Sequence, residues 1–85
     1  MASYKLLIKP SAGKEIEAVP RQDRRRIVAK ITSLSGDPRP TGSEKLSGHD
    51  HYRIRQGNYR ILYEIQDLDL VALIVKVGHR RDVYR

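Results

Sequence analysis

The sequence predicts an α+β domain with the element order βααβββ, in which two N-terminal helices pack on one face of a small antiparallel sheet, mixed at most at one edge. Three observations predict it. Two amphipathic segments follow a short apolar N-terminal segment. Three further apolar or alternating segments, separated by turn residues, fill the second half. The chain of 85 residues suffices for one domain, which we expect to span residues 1–85.

The first half of the chain contains one predicted strand and two predicted helices. Residues 4–9 are mostly apolar and are followed by Pro10, which predicts a strand. Apolar spacing predicts a helix over residues 11–19 and another over residues 21–34, with Pro20 between them. The residues expected to face the sheet are Ala12, Ile16 and Val19 in the first helix and Ile27, Ile31 and Leu34 in the second.

The second half predicts a loop and three strands. Residues 36–48 are rich in proline, glycine and polar side chains, which is typical of a loop. Residues 52–55 and 59–65 alternate between apolar and polar side chains, and residues 56–58 between them have the glycine that a hairpin turn needs. Residues 70–77 are nearly all apolar, as a central strand should be.

Alternation along these strands predicts a cationic surface. We expect the helices to cover the sheet face that carries Tyr52, Ile54, Ile61 and Tyr63. Arg53, Arg55 and Arg60 then point to the opposite, uncovered face. On the last strand the expected core residues are Val71, Leu73, Val75 and Val77. With that assignment, Lys76 and Arg80 join the three arginines on the uncovered face.

The charge of the chain favours a polyanionic partner for this face. Seventeen Lys and Arg against ten Asp and Glu give a net charge of +7, so nucleic acid or an acidic protein is expected to bind. A solvated sheet face normally mixes both signs, but here Glu64 is the only acidic residue expected beside the cations. A phosphate-binding face is therefore favoured over a merely solvated one.

The composition excludes several other classes. Without cysteine the chain has neither a disulfide framework nor a thiolate metal site. The longest apolar run, residues 70–75, is far shorter than the ~20 residues that span a bilayer, and the N-terminal apolar stretch is too short for a signal peptide. We expect a soluble cytoplasmic protein with no membrane association. His49 and His51 could share a strand face but lack an obvious third ligand, so no metal and no cofactor are expected.

Two residues near the C-terminus are candidates for proton transfer. His79 stands between Gly78 and two arginines, where an imidazole can act as an acid or base or simply form hydrogen bonds. Tyr84 stands in a short tail, where a tyrosine usually packs against the fold. The neighbouring cations would favour its phenolate form.

The sequence contains four informative segments: KLSG at residues 45–48, YRIR at 52–55, YRILY at 59–63 and VGHRRDVYR at 77–85. Together they closely resemble the RelE branch of the RelE/ParE toxin superfamily. The resemblance covers nearly the whole chain and agrees with the predicted order of elements. It implies the toxin of a type II toxin–antitoxin system, a metal-independent endoribonuclease (an mRNA interferase) that cleaves mRNA in the ribosomal A site by 2′-hydroxyl attack and inhibits translation.

By position, the resemblance implies a set of catalytic residues and leaves the general base open. Arg60 and Arg80 would stabilise the phosphate and the transition state, and Arg53 would position the RNA backbone. Relatives often carry lysines at the positions of Arg53 and Arg55, one of them proposed as the base, and arginine is a poor base. Three possibilities remain for the general base. We favour Tyr84, whose pKa Arg55 would lower. The others are His79, or a reaction without a general base that relies on charge stabilisation. Further candidates for RNA contacts are Lys45, Lys76, Arg81 and Arg85.

The resemblance also implies partners. These are the ribosomal A site with its mRNA, and an antitoxin from the adjacent gene that quenches the cationic face. Operator DNA is expected only for the toxin–antitoxin complex. Two alternatives remain: a ParE-like toxin that poisons gyrase without nuclease activity, and a non-catalytic RNA-binding module. The second is disfavoured because the chain has five Tyr and no Phe or Trp on which bases could stack.

Overall fold

The computed structural model describes residues 3–46 and 50–79, which form two helices and a five-stranded sheet. In chain order the elements are β1 (Lys5–Ile8), α1 (Pro10–Glu17), α2 (Arg21–Ser33), β2 (Glu44–Lys45), β3 (His51–Gln56), β4 (Tyr59–Gln66) and β5 (Val71–His79). The sheet order is β1-β5-β4-β3-β2, with β1 parallel to β5 and every other pair antiparallel. The predicted α+β class is confirmed. The sheet is mixed at the β1 edge, and the two-residue strand β2 lies inside the predicted loop.

Both helices pack on one face of the sheet, as predicted. The six apolar helix residues expected to face it are at most 8% exposed, and they form one cluster with alternate residues of the strands. The strand members of this cluster are Tyr52, Ile54, Ile61, Tyr63, Ile65, Ile74 and Val77. The helix starts differ slightly from the prediction. Pro10 is the first residue of α1, where its missing N–H costs nothing, and Pro20 is the N-cap of α2. No helix within the described residues has the length and apolarity to cross a bilayer.

The predicted core face of β5 is wrong over its first half. The buried residues there are Ala72 and Ile74, and Val71 and Leu73 lie on the other face. The cause is a β-bulge: Leu62 pairs with Lys76, but the next residue of β4, Tyr63, pairs with Ile74 and leaves Val75 without a cross-strand partner. The extra residue reverses the alternation. Val77 therefore still faces the core, as expected.

The hairpin between β3 and β4 is closed by a two-residue turn. Gln56 pairs with Tyr59, and Gly57 and Asn58 lie between them. Gly57 has φ +61°, a left-handed conformation that glycine adopts without the steric cost of a Cβ. A glycine at the first central position is the pattern of a type II′ turn, which suits the twist of a hairpin. The turn fixes the register that places the arginines of the two strands opposite each other.

The connection between α2 and β2 is anchored to the sheet by polar contacts. The buried Tyr63 hydroxyl donates to the Pro38 carbonyl at 2.7 Å, and burial raises the pKa of Tyr63 to about 12. Arg39 donates through both terminal nitrogens to Asp67, at 3.2 and 2.8 Å, and through Nε to the Tyr52 hydroxyl. The hydrogen bond from Arg39 lowers the pKa of Asp67. These contacts fix the path of the loop and so place β2 beside β3.

Candidate nucleic-acid interface

Three arginines lie on the sheet face away from the helices. Arg53 and Arg55 alternate along β3 with the buried Tyr52 and Ile54, and Arg60 precedes the buried Ile61 on β4. Arg55 and Arg60 are direct cross-strand partners. We call Arg53, Arg55 and Arg60 together the arginine face.

The residue opposite Arg60 on β5 is Gly78, which has no side chain. Arg55, Arg60 and Gly78 therefore form one row across three strands, with two guanidinium groups next to a position free of side-chain atoms. Cross-strand partners have Cβ atoms only about 5 Å apart, so two like charges in this row repel each other. A bound anion between them would remove that repulsion.

Acidic side chains are nearer to the cations than expected. Glu44 pairs with Arg53 across β2 and β3, and its carboxylate accepts a hydrogen bond from the Arg53 guanidinium. The expectation that Glu64 alone would accompany the cations is therefore wrong. Nothing in the sequence marks the short strand β2, which lies inside the predicted loop, so its pairing beside Arg53 is not predictable from the sequence. Within residues 3–46 and 50–79, the Arg55 side chain is exposed and makes no hydrogen bond or ion pair.

Neither candidate lysine joins the arginines on this face. The Lys76 backbone is opposite Leu62, but its Nζ lies 3.4 Å from Glu15 Oε2, beyond the edge of β5. The same carboxylate accepts a hydrogen bond from the Val77 N–H at 3.0 Å. Lys45 is the partner of Tyr52, whose side chain faces the helices. Lys45 therefore lies on the opposite face from Arg53.

His79 lies on the helix-covered side of the sheet. It has the same orientation as Val77, and its ring meets the Tyr59 ring edge-to-face with centroids 5.7 Å apart. A shallow cleft there is lined by Glu15, Val19, Tyr59 and His79, among others. His79 was expected beside the cationic face, but the pleat points it away from the arginine row.

A cleft of about 340 Å³ runs along the free edge of β3 beside the arginine face. It is lined by Lys30, Thr41, Gly42, Glu44, Arg53, Ile54 and Arg55. Lys30 lines this cleft from α2, which packs beside β3. Sequence reasoning did not find Lys30 or Glu44, since Lys30 depends on how α2 packs against β3 and Glu44 depends on the pairing of β2 with β3. The cleft can hold a phosphate group beside three cationic side chains.

Four candidate residues lie outside the described residues: Arg80, Arg81, Tyr84 and Arg85. His49, one of the two histidines considered for a metal, also lies outside them. His51 lies opposite Glu64, with His51 Nε2 3.7 Å from Glu64 Oε2. Within the part of the chain that the structure describes, no three His, Cys, Asp or Glu side chains are grouped as metal ligands would be.

The chemistry available on the arginine face is recognition of phosphate oxygens. Guanidinium groups are planar, permanently charged and able to donate two parallel hydrogen bonds to one phosphate. Arginines held by a sheet can stabilise charge that develops on a phosphate during reaction, without reorganising first.

Comparison with known proteins gives the family. A model of the ParE toxin of the type II toxin–antitoxin system parDE matches residues 6–84. Toxin RelG of Mycobacterium tuberculosis is 35% identical over 68 residues, which cover 71% of this chain and 76% of RelG. RelE in the archaeal RelE–RelB complex from Pyrococcus horikoshii is 29% identical with a TM-score of 0.85, covering 95% of this chain and 99% of that one. The isolated RelE toxin of E. coli is 28% identical with a TM-score of 0.79, and the match covers 98% of this chain and 92% of that one. The chain therefore belongs to the RelE/ParE superfamily of type II toxin–antitoxin toxins, as a RelE-type member.

Proposed function

We propose that this toxin is an endoribonuclease that cleaves mRNA in the ribosomal A site and so inhibits translation in the cytoplasm. The observation that carries the proposal is the arginine face, above all the opposed pair Arg55 and Arg60. Two like charges held opposite each other, with Gly78 beside them, suit a surface that receives a phosphate. The resemblance to RelE toxins supplies the substrate class.

The proposed reaction begins with attack of a ribose 2′-hydroxyl on the adjacent phosphorus. The bond to the 5′-oxygen of the next nucleotide breaks, which leaves a 2′,3′-cyclic phosphate and a free 5′-hydroxyl. Negative charge grows on the phosphate oxygens and on the leaving oxygen. Arg60 and Arg80 would stabilise that negative charge. Arg53 would position the mRNA backbone so that the 2′-hydroxyl and the phosphorus lie in line with the leaving oxygen.

The proton balance needs a base for the 2′-hydroxyl, for which we propose Tyr84, and a proton for the leaving 5′-oxygen, which it takes from water to become the 5′-hydroxyl. Arg55 would favour its phenolate form, which takes the 2′-hydroxyl proton. The orientation of His79 toward Tyr59 makes it the weaker candidate. The proposal also holds that no metal ion is required, because guanidinium groups can supply the charge stabilisation. The expected result is unchanged cleavage on programmed ribosomes when a chelator selective for transition metals is added at constant Mg²⁺, because ribosomes themselves need Mg²⁺ to stay assembled.

Primer extension on an mRNA translated in a reconstituted system tests the proposal. We expect strong stops within A-site codons that are absent on naked RNA. They should disappear with Arg80→Ala and weaken sharply with Arg55→Gln. Tyr84→Phe with full activity would exclude Tyr84 as the base, and unchanged cleavage by Arg80→Ala would refute the assigned role of that arginine.

The matching family model is named for ParE, so a gyrase-poisoning toxin without nuclease activity is the second candidate. It predicts intact mRNA together with inhibited supercoiling by purified gyrase. Both candidates share an expected antitoxin, because the RelE neighbour from Pyrococcus horikoshii is in complex with RelB. We propose that a similar antitoxin quenches the arginine face. Any operator DNA binding would then belong to the complex.

A further inference from the structure

An acidic residue stands on the arginine face, opposite one of its three cations. Glu44 of β2 is the cross-strand partner of Arg53, so the two side chains leave the sheet on the same side. The Arg53 guanidinium donates a hydrogen bond to Glu44 Oε2. The proposed reaction assigns Arg53 to the RNA backbone and gives Glu44 no role.

The Glu44 carboxylate lies against Arg53 and is itself open to solvent. The Arg53 side chain is 24% exposed, whereas the Glu44 side chain is 64% exposed. Arg55, two residues further along β3 on the same face, is exposed and has no acidic partner within the described residues. The two neighbouring arginines therefore differ, because one is open to a ligand and the other is held by an acid.

Glu44 and a phosphate group compete for the same donors. Both present two oxygens on one atom to the planar fork of a guanidinium group. Arg53 and Arg55 lie about 7 Å apart along the strand, close to the spacing of neighbouring phosphates in a nucleic-acid backbone. An RNA strand with one phosphate on Arg55 thus brings the next phosphate toward Arg53, where the Glu44 carboxylate repels it.

The contact between Glu44 and Arg53 is weak enough for RNA to displace. An ion pair with an exposed partner contributes little, because water and salt screen it. The short strand β2 is held in place by its pairing with β3 and by the Leu46 N–H, which donates to the His51 carbonyl at 2.8 Å. The long side chain of Glu44 can therefore turn away from Arg53 while the backbone of β2 stays where it is.

We propose that Glu44 is a selectivity residue of the arginine face, which occupies Arg53 as an internal substitute for phosphate until a strand of RNA displaces it. The inference rests on the proposed function in taking RNA as the ligand. A moderate loss of affinity suppresses the binding of RNA that is dilute in solution. It matters much less for a segment of mRNA that a ribosome presents at a high effective concentration. Glu44 therefore restricts the toxin to RNA that is presented to it.

The test measures binding of the full chain to a short single-stranded RNA by fluorescence anisotropy, over a series of salt concentrations. The RNA has 2′-O-methyl riboses, so the proposed reaction cannot cleave it. Glu44→Gln removes the charge and keeps the shape of the side chain. Because it frees Arg53 for one more phosphate contact, the salt slope should steepen by about 0.7, and binding should be about five-fold tighter at 0.1 M salt and about two-fold tighter at 0.3 M.

The matched control is Glu17→Gln, which changes the net charge equally. Glu17 is exposed at the end of α1, and its side chain makes no ion pair in the described part of the chain. This control should leave the salt slope unchanged. The double variant E44Q/R53Q should show no gain over Arg53→Gln alone, because Glu44 acts through Arg53. Circular dichroism should give the same helix content for all variants.

The possible outcomes separate this inference from the proposed function. If Arg53→Gln weakens RNA binding but Glu44→Gln leaves it equal or weaker, then Glu44 orients Arg53 for the phosphate, and the inference is overturned while the arginine face remains the RNA site. A gain that persists in the double variant would also overturn it, since the effect would then be one of overall charge. RNA binding that neither Arg53→Gln nor Arg55→Gln weakens would overturn the proposed role of the arginine face and the inference with it.

Discussion

Neutralising Arg55 should make the protein more stable and less active at the same time. Arg55 lies opposite Arg60 across the hairpin and makes no ion pair within the described residues. Two unit charges separated by ~6 Å, slightly more than the usual Cβ separation of cross-strand partners, repel in water by about 0.7 kcal/mol, and the Debye length of ~8 Å at 0.15 M salt reduces this to about 0.3 kcal/mol. Arg55→Gln removes the repulsion and breaks no contact seen in the structure.

For a chain of 85 residues these energies correspond to measurable changes in Tm. Arg55→Gln should raise Tm by about 3–6 °C at low salt and by about 1–3 °C at 0.15 M. Differential scanning fluorimetry at both ionic strengths measures this. The matched control is Arg53→Gln, which removes the ion pair with Glu44 and should leave Tm unchanged or lower it.

Two results would refute this reasoning. One is a fall in Tm for Arg55→Gln, which would mean that Arg55 supports the fold. The other is a stabilisation that does not depend on salt, since the repulsion is electrostatic. A rise in Tm together with lost cleavage would show that this arginine is kept for binding and not for stability.

Three further predictions concern the contacts that hold the site in place. Tyr63→Phe should cost about 1–3 kcal/mol by urea unfolding, because the Pro38 carbonyl loses its donor. The raised pKa of Tyr63, about 12, means that its protonated hydroxyl stabilises the fold fully below pH 10.0 and that this contribution is lost as the pH rises through 12. The Tyr63→Phe variant has no such hydroxyl, so its stability should fall less than that of the parent over this pH range. Asp67→Asn should flatten the acid limb of Tm against pH. Arg39 lowers the pKa of Asp67, so its contribution is present above pH 3.8 and is lost as the pH falls below that value; an unchanged acid limb would contradict this. Gly57→Ala should cost about 1 kcal/mol by the same urea titration, since φ is +61°, and a neutral result would mean that the turn rearranges.

The sequence was sufficient for the parts of the fold that follow from local periodicity. The helical spacing of Ile27 and Ile31 predicts the buried side of α2 correctly. The alternation around the glycine turn predicts that Arg53, Arg55 and Arg60 share the face away from the helices. In each case the spacing of apolar residues within one segment determines which side chains face the core, so contacts with distant segments are not needed for the prediction.

The remaining features depend on pairing between distant segments. The bulge at Val75 arises from the register of β5 against β4, and nothing in the run of apolar residues marks it. The contact of Lys76 with Glu15 depends on the position of α1 beside the second half of β5, where β1 no longer pairs with it. Lys30 lies near the arginines because α2 packs beside β3, and Glu44 lies there because β2 pairs with β3.

The measurement that tests the central claim most directly uses an mRNA with a single 2′-deoxy nucleotide at the expected A-site cleavage position, on programmed ribosomes. The account predicts cleavage of the all-ribose mRNA, with a 2′,3′-cyclic phosphate and a 5′-hydroxyl at the new ends. It predicts no cleavage at that position in the deoxy-substituted mRNA. Cleavage at that position in the deoxy-substituted mRNA would contradict 2′-hydroxyl attack. Intact all-ribose mRNA together with inhibited gyrase would reduce the arginine face to a binding surface.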